Sequence, residues 1–215
     1  GASVTTGDFE RFTAVDLVKH IDASYRTLAR RESRGLSGHS MGGLGTLKIA
    51  MKYPGVFSSI YAMAPCCVAP TSITAEQLQA AQAVTDEQVA TAGGFALATP
   101  ATLSAWAPDP QNPPHYFASG IKDGAVDPLI IARLQANAPL VMLPQYLPAL
   151  RSLEAIAINV GDKDFLLRDD TLMHEELNRF GIAHDWEVFD GDHGNRVNAR
   201  IRSDLLPFFG RHLDK

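Results

Sequence analysis

Arg34-Gly-Leu-Ser-Gly-His-Ser-Met-Gly-Gly43 is the stretch on which the reading of this chain turns. Arg34 to Gly38 reads as a short strand, and the glycine-rich segment after it reads as a tight turn into a helix through Leu47, Ile49, Ala50 and Met51. That helix is expected to stop at Tyr53-Pro54, because the residue before a proline is pushed out of the helical region. Inside the stretch, Gly38-His39-Ser40-Met41-Gly42 is a GxSxG sequence. A serine on a strand-to-helix turn is forced outward, with its hydroxyl exposed above the sheet edge. The residues two before and two after it are expected to be small, because the turn brings backbones together. Gly43 and Gly45 extend that allowance into the helix.

Outward from this turn, strand-like and helical segments alternate. Upstream, Thr13-Ala-Val-Asp16 has the form of a capping box and is expected to open a helix with Val18, Ile21, Tyr25 and Leu28 on one face. Downstream, Phe57 to Met63 is an apolar, strand-like run closed by Pro65. Ala155 to Val160 reads as a buried strand leading into Gly161, and a helix near Asp170 to Phe180 stops at Gly181. Asp185 to Phe189 is the next strand, and a last helix carries Val197, Ile201, Leu205 and Phe208, with a kink expected at Pro207. Such alternation argues for a parallel α/β sheet. From Val68 to about Leu150 the texture changes to capping signatures (Thr74 with Gln77, Thr85 with Gln88), a proline-rich stretch and apolar helical segments, without a strand pattern. The expectation is a core built from residues 1–67 and 151–215, with a helical lid or cap inserted over 68–150.

Bulk composition narrows the classes. A chain of 215 residues, 46% hydrophobic, buries one substantial core rather than two. With a net charge of −5 and no run of Lys or Arg, it offers no footprint for nucleic acid or an anionic membrane. No apolar stretch approaches the roughly 18 residues that span a bilayer. The sequence holds no dinucleotide fingerprint and no phosphate-binding loop, and His174-Glu175-Glu176 lacks the HExxH spacing of a zinc site and reads as a solvated helix face. No cofactor and no metal is implied. Cys66 and Cys67 are neighbours, which suits neither a spaced disulfide framework nor a CxxC site. They read as two small buried thiols, with a strained vicinal disulfide as the other reading. The compartment stays open, leaning to the cytoplasm over secretion.

A serine hydroxyl is a poor nucleophile at neutral pH and needs a base, which in turn needs an orienting acid. On a strand-turn-helix serine of this kind the chain order is Ser, then Asp or Glu, then His. The strand Ala155–Val160 runs into Gly161-Asp-Lys-Asp-Phe165, which offers Asp162 and Asp164, and the strand Asp185–Phe189 runs into Gly191-Asp-His-Gly-Asn195, which offers His193. Three loops at one edge of a parallel sheet meet where active sites in open sheets sit. His39, beside the serine, is expected to pack under the turn. Trp106, Tyr116 and Phe117 are candidates to line a pocket, with core packing as the alternative.

These residues resemble the esterase D family, which includes S-formylglutathione hydrolases, feruloyl and acetylxylan esterases and mycolyltransferases. The likeness is densest in Tyr25-Arg-Thr27, Arg34 to Gly43, Lys52-Tyr-Pro54 with Phe57, and Gly161-Asp-Lys-Asp-Phe-Leu166. It implies an α/β-hydrolase fold, a parallel sheet with helices on both faces and a helical lid, and hydrolysis of a small-molecule carboxylic ester through an acyl-serine. An acyltransferase on the same scaffold and a catalytically silent binding or assembly subunit are the alternatives. It further implies Ser40 as nucleophile, Asp164 as the acid, His193 as the base and the Met41 backbone N–H as an oxyanion-hole donor. Two departures stand out. Asn195 occupies a position where many relatives carry an aromatic residue, so the leaving-group side of the pocket is expected to differ. Only 33 residues precede Arg34, whereas the family places several strands there, one of whose loops gives a second oxyanion N–H. Further strands are therefore expected beside Arg34–Gly38, from a longer precursor, a separate fragment or a second subunit.

Overall fold

The computed structural model describes residues 2–93 and 95–214, and its chain divides into two compact units. One unit combines Phe12–Ala69 with the chain from Pro139 onward, and the other combines the residues up to Arg11 with Pro70–Ala138.

The first unit carries a four-stranded parallel sheet. Its strands β1 (Gly35–His39), β2 (Ser59–Met63), β3 (Ala155–Gly161) and β4 (Asp185–Phe189) pair in that order. The helices that matter for the site are α1 (Leu17–Ser24), α2 (Met41–Lys52), α3 (Leu167–Arg179) and α4 (Leu206–His212). Residues of β2 are buried throughout, as expected for a strand of a parallel sheet covered on both faces. The two-residue period sorts its side chains. Ile60 and Ala62 join Ile156 and Ile158 of β3 on one face, where Leu47 and Met51 of α2 and Met173 and Leu177 of α3 pack. Tyr61, Met63 and Ala157 face the other way, onto Phe208 of α4. Each fully buried aliphatic side chain contributes about 1.5–3 kcal/mol. Register levels the strand ends: His39 lies opposite Met63, and Met63 opposite Asn159. The loops that follow β1, β2 and β3 therefore emerge at one height.

Several local expectations change in detail. Met142, Leu143 and Leu150 belong to the sheet's own core, so the division falls between Ala138 and Pro139 instead of near Leu150. Thr13–Asp16 is not a helix start. It lies within a π-helical turn (Phe12–Asp16) that leads into α1 without a side-chain cap, and α1 ends at Ser24, short of Leu28. Near the C-terminus the helical run is continuous from Val197 to His212, and the irregularity expected at Pro207 takes the form of a π-helical turn (Ile201–Leu205) directly before α4.

In the second unit, helices Ala75–Gln82, Asp86–Thr91, Ala98–Trp106 and Pro128–Gln135 surround Leu78, Leu103, Phe117, Ile130 and Leu134. Both capping boxes form. Thr74 Oγ1 accepts from the Gln77 N–H at 3.2 Å while Gln77 Oε1 accepts from the Thr74 N–H at 2.9 Å, and Thr85 and Gln88 repeat the exchange. The unit also holds an antiparallel ribbon, Ile121–Lys122 with Ala125–Val126, where no strand was expected. Its turn is Asp123-Gly124, both at positive φ, the Asp-Gly signal of a tight hairpin. Among the described residues no helix is long and apolar enough to cross a membrane.

Candidate active site

Ser40 sits between β1 and α2 with φ 57° and ψ −114°, a strained conformation held from both sides. Its N–H donates to Met63 O at 2.9 Å, and its carbonyl accepts from Cys66 N–H at 3.1 Å and Leu44 N–H at 3.0 Å. The turn is tight because of two glycines. A Cβ on Gly38 would lie 2.3 Å from the Gly42 carbonyl group, and one on Gly43 would lie 2.8 Å from Pro65 Cα. The expected restriction does not extend to Gly42 or Gly45, where an added Cβ meets nothing within 4 Å.

The side-chain chemistry converges from three loops. His193 Nε2 lies 2.9 Å from Ser40 Oγ, and His193 Nδ1 lies 2.8 Å from Asp164 Oδ2. The Asp164 side chain is fully buried, and its second oxygen accepts from Leu166 N–H at 2.9 Å. A carboxylate only accepts, so it fixes the proton on Nδ1 and leaves the Nε2 lone pair facing the serine hydroxyl. Asp162 is placed elsewhere. Its Oδ1 accepts from Gly191 N–H at 2.9 Å and lies 3.8 Å from Lys163 Nζ, tying the loop after β3 to the loop after β4. Gly161 lets those loops touch, since a Cβ there would lie 2.2 Å from Gly191 O. Asp192 Oδ1 accepts from the N–H groups of Gly194 and Asn195, which hold its carboxyl below the usual range, and Asn195 Oδ1 accepts from Asp192 N–H at 3.1 Å. Asn195 thus clamps the turn that carries His193.

His39 does more than pack. Its Nε2 lies 2.7 Å from His193 O, so it carries a proton there, and the two rings are 4.6 Å apart. Phe165, largely exposed, tilts against His193 at 4.7 Å, and Met41 is 75% exposed beside the serine. Met41 opens α2, so its N–H has no carbonyl one turn back and points out of the positive end of the helix. Phe117 is fully buried in the core of the second unit, Trp106 packs against that core, and Tyr116 is exposed.

Two groups near the serine escaped the sequence reading. Asp170, in the first turn of α3, is wholly buried with neither oxygen hydrogen-bonded among the described residues. Burial, the Asp164 carboxylate and Asp169 push it up to about 9, so it is neutral near pH 7. Cys66 comes beside Ser40 through the loop after β2. Parallel pairing of β1 and β2 would have signalled it, had their register been known.

A serine on the turn after a parallel strand, with carboxylate and imidazole on later loops of the same edge, defines the α/β-hydrolase class. Comparison agrees. The profile of the family described as "Putative esterase" matches residues 2–196, and the chain belongs to that family. It is similar to "Esterase MT1326" of Mycobacterium tuberculosis (strain CDC 1551 / Oshkosh), with 44% identity over 52 residues, which is 24% of this chain and 11% of the relative. Among solved structures, a ferulic acid esterase superposes with a TM-score of 0.63 at 18% identity, over 96% of this chain and 62% of its own. An S-formylglutathione hydrolase from Agrobacterium tumefaciens superposes with a TM-score of 0.59 at 19% identity, over 96% of this chain and 58% of its own. The chain thus spans about a tenth of the curated relative and roughly three fifths of these two structures.

Proposed function

We propose that the protein hydrolyses carboxylic esters through an acyl-serine. The observation that carries this reading is the continuous relay Asp164–His193–Ser40, at 2.8 Å and 2.9 Å. In it His193 Nε2 takes the Ser40 proton as Oγ attacks the ester carbonyl. Asp164 holds the productive tautomer and stabilises the imidazolium that results. The oxyanion forms against the Met41 N–H at the positive end of α2. His193 returns its proton to the departing alkoxide, then activates a water that releases the acid. The exposed apolar surfaces of Met41 and Phe165 flank the reacting pair and favour an ester with an apolar portion.

The edge position of β1 supports a second oxyanion donor on strands that pair with it, supplied by a longer precursor, a separate fragment or a second subunit. Within the sheet-bearing unit β1 is an edge strand. A groove of about 550 Å³ follows it, lined by Leu17, Val18, Ile21, Leu28, Leu36 and Phe57. An added parallel strand would satisfy the free N–H and C=O groups of β1 and cover those side chains. The experiment that tests the function is hydrolysis of a panel of short and long acyl esters, with covalent labelling by a fluorophosphonate. Labelling at Ser40 and turnover are expected. A protein that neither labels nor turns over any ester would indicate a silent subunit, and product transfer to an added alcohol in preference to water would indicate an acyltransferase.

A further inference from the structure

The loop that leaves β2 carries two adjacent thiols against the serine turn. Cys66 is buried and Cys67 exposed, and their sulfurs are 3.0 Å apart. Cys66 holds Ser40 through its backbone, its N–H donating to the Ser40 carbonyl at 3.1 Å. The backbone here is strained. Ala64 (φ 40°) and Cys67 (φ 59°) share the left-handed region with Ser40 (φ 57°). Non-glycine residues adopt that region at a cost and keep it where surrounding structure demands it, commonly at functional sites.

The two thiols differ in chemistry. The contact with Cys66 lowers Cys67 to about 7, while the contact with Cys67 and burial push Cys66 up. The thiolate is the reactive form of cysteine. Cys67, the thiol exposed to solvent, is therefore the attacking sulfur, with a resolving thiol already in contact at 3.0 Å.

We propose that Cys66 and Cys67 form an oxidation site that a hydroperoxide closes into a vicinal disulfide, lowering the reactivity of Ser40. The effect on Ser40 rests on the reading of that residue as the nucleophile. The Cys67 thiolate attacks one peroxide oxygen and the O–O bond breaks, leaving a sulfenic acid on Cys67 and a hydroxide or alkoxide that takes a proton from solvent. The Cys66 sulfur then displaces the sulfenic oxygen, which leaves as water with the Cys66 proton. The thiols lose an electron pair and the peroxide gains it. Adjacent residues hold their Cα atoms about 3.8 Å apart, short of the roughly 4.4–6.8 Å that disulfides prefer, so the bond is strained and readily reduced. It acts as a reversible mark, not a staple. Closing the ring strains the residue whose amide holds the Ser40 carbonyl and shifts that amide.

The test treats the reduced full chain with hydrogen peroxide and follows peptide mass and the rate of fluorophosphonate labelling at Ser40. The expected result is loss of a hydrogen pair in the peptide containing Cys66 and Cys67, with a fall in labelling of about tenfold that dithiothreitol reverses, since small displacements at reacting atoms cost this much or more. Cys67→Ser is expected to label at the rate of the reduced parent and to keep that rate after peroxide. Oxygen retained on Cys67 without a disulfide overturns the proposal, as does a disulfide that leaves labelling unchanged. Failure of the reduced protein to label overturns the reading of Ser40 instead, while the mass still decides whether the disulfide forms.

Discussion

The two sides of the serine are built to different degrees. On the histidine side, the loops after β3 and β4 are cross-tied by Asp162 to Gly191, by Lys163 N–H to Gly191 O at 3.0 Å and by Asp162 N–H to Phe189 O at 2.8 Å. His193 is then fixed at its ring by Asp164 and at its carbonyl by His39. On the other side stand one helix N-terminus and an edge strand along an apolar groove. The difference separates two tasks. Moving a proton needs groups placed within a fraction of an ångström, and the sheet-bearing unit supplies them. In the proposed reaction, holding a developing negative charge needs converging N–H donors, and among the described residues of that unit the N-terminus of α2 faces the serine.

The comparison breaks most sharply at Ser40. Ser40→Ala is expected to leave the fold intact and to lower kcat by about four to six orders of magnitude. A loss under about tenfold, with unchanged melting, would remove the nucleophile from both sides at once. Next in size, Asp164→Asn should cost about four orders of magnitude, because the imidazole then settles in the wrong tautomer. Asp162→Asn should cost less than about tenfold, since Asp162 ties a loop and does not touch His193. Steady-state kinetics on the two variants decide it, and the reverse ranking would move the acid to Asp162.

A smaller effect tests the turn that both sides share. Gly38→Ala drives a methyl into the Gly42 backbone and should destabilise by about 2–3 kcal/mol, read as a lower denaturation midpoint. Gly42→Ala meets open space inside a helix and should be neutral or stabilising by up to about 1 kcal/mol. Equal losses at the two positions would mean that the close approach is not what holds Ser40 in place.

Much of this was legible because local chemistry and tertiary structure agree. Asp185–Phe189 alternates and forms β4 over those residues, and Thr74 and Thr85 cap the helices their spacing announces. The loop order Ser40, Asp164, His193 follows from strands that all run one way. What escaped depends on register or on which core an apolar segment joins. Pro139–Arg151 looks the same as sequence whether it packs on the sheet or on its own unit, and only contact with α2 assigns it. The ribbon at Ile121–Val126 has strands of two residues, too short to show alternation, although its Asp-Gly turn was visible. Asp170 reads as one acid in a polar run, Arg168-Asp-Asp-Thr171, and nothing local says that it faces inward.

Asp170 gives the last test, on the well-built side. A second ionised carboxyl beside Asp164 would compete with it for the charge of His193, so a neutral Asp170 leaves one negative group to serve the imidazole. Its carboxyl titrates at about 9 in the fold against 3.8 for the free side chain. Between those values the folded protein holds a proton that the unfolded chain has released, so stability falls as pH rises through that window. Asp170→Asn keeps the shape and cannot ionise. The variant should therefore gain on the parent as pH rises from about 5 to about 8, by a few kcal/mol, since each pH unit between the two pKa values costs the parent about 1.4 kcal/mol. Thermal melts of both proteins at the two pH values measure it, and the slopes of all other groups cancel in the difference. Parallel stability curves would show that Asp170 does not carry its proton into the folded state, and Asp164 would then share the histidine with a second charge.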